Sequence, residues 1–288
     1  MNVIYLNGIY VNRSDAKISI SNRAFRYADG CFEAIRIMNG YPVFWSLHWD
    51  RLTRTLEMLQ IELMLNESAI KEVIVKLISM NQCLSGMLRI VVSRADGGKY
   101  MPLGNEAQVF MELTEMETPH YPEPITLKRA VLFEEFRLPS HELGNHKTLN
   151  KTLHVLAALS AKASGCDEAF LVNDKGAVAE AISSNMCLLK NKVITTPPLS
   201  DGGLNGTIRR VLLQNSNSIG VKIIEHSITP SELLEADEIW ATNASSGISA
   251  VTSYAGKSYS ADLANRLQAR LNSLAISSVV DFQEIQPL

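Results

Sequence analysis

Apolar and polar positions alternate near the start of the chain, then give way to a helical repeat. Val3–Leu6 and residues 9–11 flank Asn7-Gly8. Asn-Gly between two apolar runs predicts a hairpin, because both central residues of the tight turn need positive φ. Residues 32–38 and 41–44 around Asn39-Gly40 predict a second hairpin. Residues 46–60 and 67–81 then read as helices. In the second of these, Ile70, Val73, Ile74, Leu77 and Ile78 fall on one face. Residues 87–93 and 108–113 return to strand character, with a Gly97-Gly98 loop between them.

Residues 115–124 carry three prolines and no periodicity, which marks a linker. Beyond it, strands are expected at 168–173, 186–190, 192–196, 221–226 and 238–242, and helices at 148–163, 207–216, 231–236 and 261–277. The third helix has its own start signal, with Thr229 as cap, Pro230 in the first turn and Glu232 three residues after the cap. No repeat or low-complexity tract interrupts the pattern. The expected organisation is an α+β (mixed α/β) chain of two lobes. A small N-terminal lobe spans 1–115, a linker 116–124, and a larger C-terminal lobe 125–288.

Composition narrows the function classes. A chain of 288 residues is long enough for two cores, and 46% hydrophobic with 20% charged residues is ordinary for a globular protein. A net charge of −3 gives no electrostatic case for nucleic acid or an anionic membrane. No apolar run approaches the ~20 residues of a membrane span, and the N-terminus lacks the pattern of a signal peptide. Cys31, Cys83, Cys166 and Cys187 are scattered, without the close spacing of a metal or redox motif. Free thiols in a reducing compartment follow, and a cytoplasmic protein with no metal is expected.

The candidate chemistry lies in five short elements in a fixed order: Asp29-Gly30-Cys31-Phe32-Glu33, His48-x-x-Arg51-Leu52, Lys147-Thr148-Leu149-Asn150, Glu180 to Asn185, and Gly206-Thr207-Ile208-Arg209. Among them stand the Arg51 guanidinium, the Lys147 amine, the Glu180 carboxylate and a glycine turn opening a helix. A guanidinium suits a buried phosphate, and a glycine turn at a helix start aims backbone N–H groups at an anion.

In this order the elements resemble the class IV, or fold type IV, pyridoxal-phosphate enzymes. These include branched-chain and D-amino acid aminotransferases and 4-amino-4-deoxychorismate lyase. The resemblance implies the two-lobe, D-amino acid aminotransferase-like architecture, pyridoxal 5'-phosphate as cofactor, a small-molecule amino acid or oxo acid as substrate, and a homodimer. Lys147, placed in the C-terminal lobe, would be the Schiff-base lysine and would shuttle the substrate's α-proton. Glu180 would pair with the ring nitrogen, although Ala181 stands where the family has glycine. Asn185 would position the cofactor. Arg51, the backbone of Gly206, Thr207 and Ile208, and the turn holding Ala244 and Ser245 would bind the phosphate. Ala244 replaces the usual threonine, which leaves Ser245 or Thr242 to supply a hydroxyl.

Substrate-side residues point two ways. Phe32-Glu33-Ala34-Ile35-Arg36 resembles branched-chain aminotransferases, and implies transamination of a small α-amino acid. Asp29-Gly30-Cys31-Phe32, the arginine of Ser93-Arg94-x-x-Gly97-Gly98, and Asn243 resemble the lyase, which releases pyruvate and 4-aminobenzoate. Tyr27, Arg36, Arg94 and Asn243 are therefore the candidate substrate residues. A non-catalytic binding module is the reading from another class, and the joint presence of Lys147, Glu180 and Arg51 speaks against it.

Overall fold

A computed structural model describes residues 2–283. They form two compact units, one of residues 2–120, 147–150 and 274–283, the other of residues 121–146 and 151–273.

The first unit is a six-stranded antiparallel sheet backed by two helices. Its elements run β1 (Val3–Leu6), β2 (Ile9–Asn12), α1 (Arg23–Tyr27), β3 (Gly30–Met38), β4 (Tyr41–Pro42), α2 (Trp45–Leu59), α3 (Glu67–Asn81), β5 (Ser85–Arg94) and β6 (Ala107–Glu115). The strand order is β2-β1-β6-β5-β3-β4. Both Asn-Gly turns form as expected, with Asn7, Gly8, Asn39 and Gly40 all at positive φ. Asn66 caps α3 by accepting the Ala69 N–H at 2.9 Å, which is why the helix begins at Glu67. The apolar face of α3 closes one core with Ile35, Ile37, Trp45, Leu52, Leu88 and Ile90.

The second unit is built on a nine-stranded mixed sheet. It comprises β7 (Thr126–Leu138), α4 (Thr152–Ala163), β8 (Glu168–Asn173), β9 (Val178–Ala181), β10 (Asn185–Lys190), β11 (Val193–Thr196), α5 (Thr207–Gln214), β12 (Lys222–Glu225), α6 (Pro230–Glu235), β13 (Glu238–Asn243), β14 (Gly247–Tyr254), β15 (Lys257–Ser258) and most of α7 (Asp262–Ser278). The order is β12-β11-β10-β13-β14-β7-β8-β9, with β15 beside β14. The capping box at Thr229 and Glu232 is present. A last short helix, α8 (Val280–Gln283), belongs to the first unit, where Phe282 packs edge-on against Trp45.

Several expectations need correction. The helix expected from residue 148 starts at Thr152, because the preceding residues lie against the sheet of the first unit. Lys147 therefore belongs to the first unit and not to the larger C-terminal lobe, and so do residues 274–283. The stretch expected as a free linker is fastened. Arg36 donates to the carbonyls of Thr118 and His120, and the Asn272 side chain accepts the Tyr121 N–H at 2.9 Å while donating back to its carbonyl at 3.2 Å. Strands β7, β9 and β14 were not anticipated. β7 carries Lys128, Arg129, Glu134 and Glu135 along a half-exposed length, which hides the alternation.

Candidate active site

In the first unit, residues 147–150 run antiparallel to the start of β3. The Phe32 N–H donates to the Lys147 carbonyl at 2.9 Å, and the Leu149 N–H to the Gly30 carbonyl at 3.0 Å. The glycine is required here, since a Cβ on Gly30 would meet the Val92 carbonyl oxygen at 2.4 Å. The half-buried Lys147 side chain sets its Nζ 4.6 Å from the centre of the Phe32 ring.

The next residue of β3, Glu33, is almost fully buried and gathers two groups from α2. Arg51 donates from Nε to Oε1 at 2.7 Å and from Nη2 to Oε2 at 2.6 Å, and His48 Nδ1 lies 2.7 Å from Oε2. His48 and Arg51 are three residues apart on the helix, so one carboxylate can engage both. Burial works to raise the Glu33 pKa, but Arg51 and then His48 outweigh it and bring it down to about 2. Burial pushes His48 below its ordinary range, and the charges of Arg51 and Lys147 add to that against the pull of Glu33. The carboxylate thus fixes the plane of the Arg51 guanidinium.

Arg36 and Arg94, expected at the substrate, are spent inside this unit. Arg36 is fully buried in its bonds to the 118–120 segment. Arg94 is 7% exposed and donates to Asp29 at 3.0 Å, to the Gln60 and Leu59 carbonyls at 2.8 and 2.6 Å, and to Asn105 at 2.6 Å. Tyr27 closes α1 with its ring 5.1 Å from the Arg23 guanidinium and 5.5 Å from the Tyr100 ring, and it stays partly exposed.

In the second unit, Glu180 on β9 is buried. His154 Nε2 lies 2.7 Å from its Oε1, and the Leu204 N–H donates to its Oε2 at 2.9 Å. Burial opposes ionisation of this carboxylate, but the bond and charge of His154, the charge of Lys151 and the Leu204 N–H leave its pKa lowered. Asn185 opens β10 and donates to the Leu204 carbonyl at 2.6 Å. Gly206 caps α5 without any side chain, and a Cβ there would lie 1.7 Å from Asn185 Oδ1. Thr207 and Ile208 follow in the buried first turn of that helix. Across the sheet, Asn185 pairs with Thr242, whose Oγ1 is buried without a hydrogen-bond partner. The adjoining turn is closed by Asn243, whose Oδ1 accepts the N–H groups of Ser245 and Ser246 at 3.0 and 2.9 Å. Its Nδ2 donates to Ser184 at 3.0 Å, and Ala244 lies within the turn.

A family described as "Amino-transferase class IV" matches residues 30–254. This chain belongs to the class IV aminotransferases. A Methanocaldococcus jannaschii protein provisionally named a branched-chain-amino-acid aminotransferase is 32% identical over 248 residues, 85% of each chain. The aminodeoxychorismate lyase of Bacillus subtilis is 30% identical over 253 residues, 84% of this chain and 83% of the relative. A branched-chain aminotransferase from Thermoproteus uzoniensis, crystallised with norvaline, shares the fold. The TM-score is 0.86 at 24% identity, with 94% of this chain and 93% of that one covered. The fold is thus the fold type IV one, and the protein is an enzyme of an aminotransferase and lyase family that works with pyridoxal phosphate.

The class IV chain carries residues that fit this cofactor. An ionised buried carboxylate suits a protonated pyridine nitrogen. A glycine-capped helix start beside an orphaned threonine hydroxyl suits a phosphate. Glu33, His48 and His154 had no role assigned from sequence. The first two stand inside quoted motifs, but their pairing requires the tertiary fold. Nothing in the 26-residue spacing of His154 and Glu180 signals their contact. Among the described residues, no helix is long and apolar enough to cross a membrane.

Proposed function

We propose that this protein is a pyridoxal-phosphate-dependent aminotransferase, transferring an amino group between a small α-amino acid, branched-chain ones included, and a 2-oxo acid. The observation carrying the choice is the engagement of Arg94 and Asn243. Beside Asp29-Gly30-Cys31-Phe32 these are the residues whose identities favoured the lyase, and both spend their side chains on the protein itself.

When bound, the cofactor supplies an electron sink for the substrate's α-carbon. Lys147 would hold it through its amine and, once released, move the proton at the α-carbon. Glu180 would keep a proton on the ring nitrogen. The start of α5, with Gly206 as its cap and the backbone of Thr207 and Ile208, would hold the phosphate together with Thr242 or Ser245, and Asn185 would position the cofactor. Arg51 would add its charge, with its plane set by Glu33. Tyr27 remains the candidate for a substrate contact.

We further propose a cytoplasmic homodimer. Helix α4 presents Val155, Leu156 and Leu159 to solvent, and Phe136 of β7 is exposed as well. Exposed apolar side chains on one helix mark the surface we assign to the subunit contact.

The test is a product assay on cofactor-loaded protein. One sample receives L- and D-amino acids with 2-oxoglutarate, and another receives aminodeoxychorismate. Glutamate formed only in the first supports transamination. Pyruvate and 4-aminobenzoate in the second would make the enzyme a lyase, as the name of the B. subtilis relative states for that protein.

A further inference from the structure

Helix α4 delivers an imidazole to the carboxylate of β9. His154 is the third residue after the helix cap Lys151, and its Nε2 lies 2.7 Å from Glu180 Oε1. Its Nδ1 is buried and finds no hydrogen-bond partner. An ionised carboxylate can only accept, so the proton between the two sits on His154 Nε2. His154 Nε2 is therefore the donor of this bond. The Leu204 N–H holds the other carboxylate oxygen at 2.9 Å, so Glu180 cannot rotate.

We propose that His154 is a positioning residue for Glu180: its Nε2–H fixes the carboxylate in one orientation and keeps it anionic toward the cofactor's ring nitrogen. This rests on the assignment of Glu180 as partner of that nitrogen. Without the donor, a buried carboxylate gains basicity. It would then take the ring proton for itself, and the electron sink would weaken. Other charged groups nearby are already committed or act in the same sense. Lys151 also favours the anion. On the strands beneath α4, Glu168 of β8 is paired with Lys128 at 2.7 Å, and Glu135 of β7 bonds Ser160 at 3.0 Å.

The experiment compares His154→Leu, His154→Gln and Glu180→Gln holoenzymes. It reads kcat, KM and the pH at which the bound cofactor's visible absorption band changes. Loss of a hydrogen bond to a charged group predicts a drop of about ten- to a hundred-fold in kcat for His154→Leu, at nearly constant KM. Its band should titrate at higher pH, because an uncharged ring no longer disfavours protonation of the cofactor's linkage to lysine. His154→Gln keeps an amide donor and should recover most of the rate. If Glu180→Gln is crippled but His154→Leu matches wild type in rate and band, this inference alone is overturned. Equal losses in the leucine and glutamine variants, with an unmoved band, would reduce His154 to packing and also overturn it. A Glu180→Gln enzyme as active as wild type would remove the underlying assignment, and the inference with it.

Discussion

Glu33 is buried against one guanidinium and one imidazole, and its folded pKa near 2 has a direct consequence. A group whose pKa is depressed on folding stabilises the protein fully above its unfolded value and loses that stabilisation as pH falls through the folded one. The depressed His48 acts in the same direction, because protons bind the unfolded ring first. Urea midpoints should therefore fall as pH drops from neutrality toward about 2, and Glu33→Gln should flatten that dependence. Lys147→Ala should abolish turnover while the fold persists, and near-normal activity would displace Lys147 from the chemistry. Gly206→Ala puts a Cβ 1.7 Å from Asn185 Oδ1, so the Asn185 amide must shift and its bond to Leu204 is disturbed. A cofactor affinity weaker by about 1–3 kcal/mol is expected by equilibrium titration, and an unchanged affinity would take the start of α5 out of the site. The candidate residues can be picked out of the sequence because each sits in a short local motif. Their partners cannot. Glu33 with His48, and Glu180 with His154, meet only through packing, and the engagement of Arg36 and Arg94 is equally invisible in a linear motif.

Elements were readable where one face is buried and the other wet, as in α3, which its apolar spacing located and whose start at Glu67 the Asn66 cap fixes. They were unreadable where burial covers part of a length, as in β7, or where pairing overrides a local preference. Residues 147–150 show the second case. They continue the apolar pattern of α4, yet their N–H and C=O groups are taken by β3. Arg36 works at this same scale, tying β3 to the segment that leaves β6. Arg36→Met keeps the bulk and removes the donors from the Thr118 and His120 carbonyls. About 2–4 kcal/mol of stability should be lost, read from denaturant unfolding. A loss below about 0.5 kcal/mol, the scale of ordinary surface changes, would show that the segment holds without it.

At the scale of the molecule, the sequence indicated two units and a boundary near residue 120, but not that the first unit takes in residues far along the chain. Such contacts depend on topology, which no local period encodes. Self-association is tested through α4. Val155→Glu with Leu159→Glu should convert a dimer to monomers in sedimentation, while a species unchanged in mass would place the contact elsewhere. The four residues Lys147–Asn150 carry one last consequence, for ancestry and for engineering. Because Lys147, the proposed Schiff-base lysine, belongs to the first unit but is encoded inside the second, no single crossover can exchange the units between relatives intact. A chimera joined near residue 120 would graft a foreign strip, lysine included, onto β3. Lineages of this enzyme should therefore inherit both units together, and laboratory recombinants should succeed only when the 147–150 strip travels with its sheet.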